Sequence, residues 1–197
     1  PLPLARTQAD SLRAAAAGED VARLPSGDLS VWSAVAEQVR RLQKHGIAYT
    51  MTPGVPAFAA AASALGRELT IPAVAQSLVL TRVSGRASPM PNEETLARFG
   101  ATGSTLAIHL AIHALSQVGA DLTPLMCGDS PVAIGAKASW PDERVLHGTL
   151  ADIEARVAME PIERTAIIFV GPTLAARDFR ESALYDAAYQ RRFRGRQ

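Results

Sequence analysis

The chain has 197 residues, with 20 Lys and Arg against 19 Asp and Glu, for a formal net charge of +1. That length can bury a sizeable core as one large domain or two small ones, and the near-balanced charge gives no electrostatic case for a nucleic-acid or membrane partner. One cysteine, Cys127, excludes an intrachain disulfide and fits a reducing cytoplasm; no apolar run approaches the roughly twenty residues a membrane helix needs.

The opening segment, Thr7 to Ala17, reads as an Ala-rich helix stopped by Gly18. Asp20 to Leu24 is a short apolar strand, followed by an acidic corner, Ser26-Gly27-Asp28. Trp32, Val35, Val39 and Leu42 then recur at helical spacing, with Glu37, Arg40, Arg41 and Lys44 on the opposite face. Ile47 to Met51 is the next strand, and Pro53-Gly54 turns the chain into a helix ending near Gly66. Strand and helix alternating through short connections predict a parallel sheet.

A second unit follows the Leu69 to Ala75 stretch, the best candidate for a hinge. The expected division is a lobe over 1–70, a lobe over 76–175 and a tail over 176–197. Gln76 to Val83 is a strand, and SGRASPMPN a polar loop. Asn92 is the expected cap of the next helix, with Glu93 and Glu94 in its first turn. Ser104 to Leu110 is a strand, and Ile112 to Val118 a helix. PVAIGAKAS, ERVLHGTL and TAIIFVG are three further strands, with ADIEARVA a helix between the last two. The terminal basic run, Arg191 to Arg196, reads as a solvated tail.

In open α/β sheets, ligands bind outside the carboxyl ends of strands. The Ser26-Gly27-Asp28 corner and the Thr52 to Ala57 corner both sit at such ends, each with a glycine that lets backbone approach a ligand. Neither has the glycine spacing of a dinucleotide fingerprint or a P-loop. On local grounds Asp28 is most simply a helix cap. His109 and His113 lack a third zinc ligand, so no metal site is expected. Cys127 has no local activating partner, and no G-x-S-x-G elbow supports a hydrolase. Arg82, Arg86, Lys137 and Arg144 flank loops of the second lobe; they are most simply surface charges, but together they could meet an anionic ligand.

VARLPSGDLSVWSA, YTMTPGVPAFAAAASALGRELT, GRASPMPNEETL, TLAIHLAIHAL and PVAIGAKASWPDERVLHGTL together resemble the tetrapyrrole (corrin/porphyrin) methylases. The SGDLSVW corner, the GRASPMP loop, the ASWPDE segment and the closing FRESALYDAAYQRRFRGR point to a corrin-pathway member of cobalamin biosynthesis. The resemblance implies a two-lobed α/β fold, each lobe a sheet flanked by helices, with the ligand cleft between lobes. It also implies a homodimer that binds S-adenosylmethionine and releases S-adenosylhomocysteine, in keeping with the cytoplasmic location expected from the single cysteine. Carried over residue by residue, the cofactor positions are Ser26, Gly27, Asp28, Val31, Pro56, Ala57, Leu110 and Ala138. Relatives often carry Met at the Leu110 position and Gly at the Ala138 position. The basic candidates, Arg82, Arg86, Lys137 and Arg144, would meet the carboxylates of a tetrapyrrole substrate. No catalytic side chain is singled out. The family's opening strand and Gly-Pro-rich loop are expected to be missing ahead of Pro1, which leaves open a non-catalytic α/β binding module. A sister methylase acting on another corrin or porphyrin is the other alternative.

Overall fold

A computed structural model describes residues 4–85 and 88–182, with side chains described from residue 9 onward. Two compact units result, residues 1–57 and 58–197.

In the first unit, α1 (Leu4–Ala16) is built on alanine and ends in a turn at Gly18. The second helix, α2 (Val35–Lys44), carries Glu37 in its first turn and Arg41 and Lys44 in its last, the order the helix dipole favours. Its buried Gln38 donates to the Ala34 carbonyl at 2.9 Å. The expected strands over 20–24 and 47–51 form neither strand nor ladder among the described residues. Their apolar side chains stay out, with Val21, Leu24, Tyr49 and Met51 all exposed. A strand is defined by its neighbour's hydrogen bonds as much as by its own residues, and neither segment pairs with the other.

The second unit is built on a five-stranded sheet in the order β1-β2-β5-β3-β4. Its strands are β1 (Leu78–Arg82), β2 (Thr105–His109), β3 (Pro131–Ala136), β4 (Arg144–Thr149) and β5 (Ala166–Val170). β1 and β2 are parallel; β5 lies antiparallel to both β2 and β3, and β4 pairs antiparallel with β3. Helices α3 (Ala57–Ala64), α4 (Leu96–Gly100), α5 (Leu115–Met126) and α6 (Ile153–Met159) connect and flank the strands. A mixed α/β fold with helices around one sheet is thus observed. The cap of α4 is not Asn92: Thr95 accepts from the Arg98 amide at 3.2 Å, and the helix starts at Leu96.

Period-two alternation sorts the strand residues onto two faces. Leu106, Ile108, Val132, Ile134, Ile168 and Val170 point into one cluster with Val118, Leu122 and Ile153 of the helices. Ala107, Ala133, Ile167 and Phe169 point into the other, against Ala61, Ala62 and Leu69. The second face is mostly small where α3 crosses it. Gly135 completes that smooth patch, since a Cβ there would stand 2.8 Å from Ala61 Cβ. At the far end of the sheet, the wholly buried hydroxyls of Thr105 and Thr173 satisfy each other at 2.8 Å. Gly135→Val should force α3 off the sheet and cost about 1–3 kcal/mol, read as a lower urea midpoint with little change in slope.

Candidate functional site

Strand direction places the loops of the second unit. Ile167 of β5 faces His109 on one side and Gly135 on the other. Arg82 in turn partners His109. The carboxyl ends of β1, β2 and β3 therefore lie at one end of the sheet, where α/β proteins bind ligands. Three connections leave from there: residues 83–95, the turn starting at Leu110, and the β3–β4 connection over 137–143.

Two of these connections depart from ordinary backbone. Leu110 is held at φ 55° and stands 64% exposed, directly after a strand whose five residues are all buried. Left-handed backbone is costly for a bulky residue, and such strain concentrates at functional sites. Lys137 (φ 49°) and Ser139 (φ 70°) flank Ala138, which packs against the α3-side core cluster. Lys137 N–H ties the connection to the Thr165 carbonyl at 2.8 Å, and Ser139 N–H donates to Glu143 Oε2 at 2.6 Å. Beneath it lies a cavity of ≈ 290 Å³ lined by Lys137, Asp142, Arg144, Glu163 and Arg164, among others.

Most of the basic candidates are engaged with their own protein. Lys137 is ion-paired with Asp142, whose carboxyl it holds below the usual carboxylate value. Arg144 reaches the carbonyl oxygens of Pro161 (3.1 Å) and Glu160 (3.0 Å) and the Glu160 carboxylate. Arg82 bonds to Val83 and Ser88. Arg86 lies outside the described residues. Arg164 was not singled out from the sequence; nothing in its local pattern shows that the chain entering β5 meets the end of β3.

His109, the last residue of β2, is 7% exposed and packs edge-on against Phe58, with ring centroids 6.4 Å apart. Burial pushes its imidazole down to about 4, so the ring is neutral at neutral pH.

The first unit joins its two glycine corners through one carboxylate. Asp28 Oδ1 accepts from the Ser30 amide at 2.8 Å and from the Ser30 hydroxyl, an Asx-type turn. Asp28 Oδ2 accepts from the Gly54 amide at 2.7 Å. The Ser30 hydroxyl first, then the Gly54 and Ser30 amides, hold the Asp28 carboxyl below its ordinary value. Local reasoning made Asp28 a helix cap; instead α2 starts seven residues later behind Ala34, with no side-chain cap bond. The corners approach so closely that a Cβ on Gly54 would fall 2.0 Å from the Gly27 carbonyl oxygen. Only glycine fits there, a requirement the sequence displayed without its reason. Ser26 and Gly27 remain exposed beside this clasp, with Val31 and Pro56 half-buried and Ala57 opening α3.

Of the residues expected to hold the cofactor, Ser26, Gly27, Asp28 and Pro56 thus gather around one clasp, while Leu110 and Ala138 leave one end of the second unit's sheet. Within the first unit the clasp leaves exposed glycine backbone and a carboxylate with acceptor capacity on Oδ2; within the second, Leu110 presents an exposed apolar side chain. Among the described residues, no group of three or more His, Cys, Asp or Glu is placed to hold a metal ion, and no helix is long and apolar enough to cross a membrane.

A sequence profile described as Tetrapyrrole (Corrin/Porphyrin) Methylases matches residues 5–154. The chain is 79% identical over 196 residues to a precorrin-4 C(11)-methyltransferase of Sinorhizobium sp, covering 100% of this chain and 78% of that relative. Among solved structures, a cobalt precorrin-4 methyltransferase superposes with a TM-score of 0.84 at 31% identity, covering 89% of this chain and 73% of that one. A uroporphyrin-III C-methyl transferase from Thermus thermophilus, solved with S-adenyl homocysteine, shares the fold with a TM-score of 0.72 at 23% identity, over 87% of this chain and 74% of that one.

The neutral, buried state of His109 makes stability pH-dependent. Its folded pKa lies below the ordinary 6.5, so between pH 6.5 and about 4 the unfolded chain binds the extra proton. Stability from this residue should be complete above pH 6.5 and decline as pH falls toward 4. His109→Leu should flatten that part of a urea-midpoint profile.

Proposed function

The chain belongs to the tetrapyrrole (corrin/porphyrin) methylases, and from that premise we propose that it transfers a methyl group from S-adenosylmethionine to C-11 of precorrin-4, giving precorrin-5 in cobalamin biosynthesis. The observation that carries this reading is the likeness, along the whole of this chain, to a relative named for that reaction. The reading extends to a homodimer working in the cytoplasm on a small-molecule substrate, without nucleic acid.

When bound, S-adenosylmethionine supplies an activated methyl group together with its leaving group. The protein's work is then alignment and water exclusion, worth several orders of magnitude in rate. Ser26 and Gly27 offer exposed backbone to the ligand, and Asp28 fixes their geometry by holding Gly54. Asp28 Oδ2 retains capacity to accept from a ligand hydroxyl or amine. Leu110 presents an apolar surface, and Ala138 backbone contacts between two left-handed residues. Lys137 and Arg144, each paired with a carboxylate at the same sheet end, would exchange those partners for substrate carboxylates. Both ion pairs are exposed, so they are worth little to stability and can be traded.

The test is methyl transfer by the full-length protein, with labelled S-adenosylmethionine and precorrin-4 or its cobalt complex. A labelled product from the metal-free substrate is expected; transfer to neither would overturn the reading. Asp28→Ala should weaken S-adenosylhomocysteine binding by about tenfold or more in calorimetry, as loss of bonds to an ionised group implies. Wild-type affinity in that variant would remove the corner from the cofactor site.

A further inference from the structure

Arg82 ends β1 with its guanidinium turned onto the connection that follows. Nη1 donates to the Ser88 carbonyl at 2.8 Å and to the Val83 carbonyl at 3.2 Å, while Nη2 donates to Ser88 Oγ at 2.8 Å. Val83 lies on the outgoing limb and Ser88 on the returning one. Backbone bonds between Gly85 and Ser88, at 3.2 and 3.3 Å, and one from Met90 N–H to Ser84 Oγ at 3.0 Å join the same two limbs. Six bonds thus tie the two limbs together, and three of them come from one side chain.

We propose that Arg82 is a positioning residue: its guanidinium latches Val83 to Ser88 and so presets the β1–α4 connection at the sheet end where substrate is handled. The inference rests on the methyltransferase reading for its kinetic consequence and on geometry alone for the latch. It gives Arg82 a different task from steering substrate carboxylates, because three of its five N–H donors are spent on the protein's own loop. The planar fork matters here. A guanidinium reaches a carbonyl and a hydroxyl of one residue together with a second limb, whereas a lysine ammonium is a point donor on a flexible stem. The latch also has a fixed base. Arg82 is held by its parallel pairing to His109, whose strand is wholly buried, so the loop inherits the register of the sheet core. The same register sets the loop beside the turn at Leu110, because Leu110 follows His109 directly.

The experiment uses the full-length protein with Arg82→Met, Arg82→Lys, Ser88→Ala and the Arg82→Met/Ser88→Ala pair. Amide hydrogen exchange at Gly85, Ser88 and Met90 is followed without ligand, and kcat and KM for precorrin-4 are measured alongside S-adenosylhomocysteine affinity. With a latch, Arg82→Met should speed exchange at these amides about tenfold, as release of a local structural unit does, and Arg82→Lys should restore little of the protection. Precorrin-4 turnover should fall in Ser88→Ala as well as in Arg82→Met. The double variant should be no worse than Arg82→Met alone, because both changes break one interaction. Cofactor affinity should hold. Unchanged exchange in Arg82→Met overturns the latch, as does a raised KM in Arg82→Met with Ser88→Ala kinetically silent, the signature of direct substrate contact. Ser88→Ala keeps the test open if Arg82→Met fails to fold. Absence of methyl transfer by the wild type would sink the functional reading while the exchange measurements still judge the latch.

Discussion

The second unit depends on one strand running against its neighbours. β5 is buried along Ile167–Val170 and lies between β2 and β3, antiparallel to both. Because two reversals restore direction, β2 and β3 point the same way although they never pair. Their carboxyl ends, and that of β1, consequently face one side. The turn at Leu110, the connection around Ala138 and the loop latched by Arg82 are neighbours for this reason. No local property of those three segments would bring them together.

A second constraint operates within the first unit. Gly27 and Gly54 stand 27 positions apart in the chain, yet their backbones nearly touch, and the Asp28 carboxylate bonds the Gly54 amide across the gap. A carboxylate at a glycine corner invites a reading as cap or ligand acceptor, and here it is first a clasp. Exposed ionised groups gain little from such bonds in stability. What they gain is geometry, since the two glycine corners are held at a set spacing.

The same division appears among the cations. Net charge near zero offers no long-range attraction for an acidic substrate, and Arg82, Lys137 and Arg144 are each turned onto carbonyls, hydroxyls or carboxylates of the chain itself. Some of these bonds are exposed ion pairs that a polycarboxylate can replace; others fix loops that only a planar fork can fix. The distinction lies in partner chemistry rather than in residue type, and it separates Arg82 from Lys137.

Much of this was legible in the residues. Short apolar runs located all five strands of the second unit within a few residues, because a sheet covered on both faces demands them, and the Ala-rich helices announced themselves through propensity. The motif-bearing corners were also visible as glycine placed where strand meets helix. Other features depended on partners distant in the chain. The segments over 20–24 and 47–51 have strand-like composition but no ladder, since hydrogen bonding to a neighbour is not a property of a segment alone. Thr95 displaced Asn92 as the α4 cap because the backbone turns three residues later than composition suggests. Leu110 in left-handed backbone had no signal, as leucine is not chosen for that conformation. Composition and periodicity determined the strands of the second unit and the positions of most helices; only folding decided which apolar segments of the first unit stay exposed, which strand ends share a side, which amide Asp28 holds and which loop Arg82 closes, because each depends on contacts between segments whose separation along the chain carries no information about their distance in space.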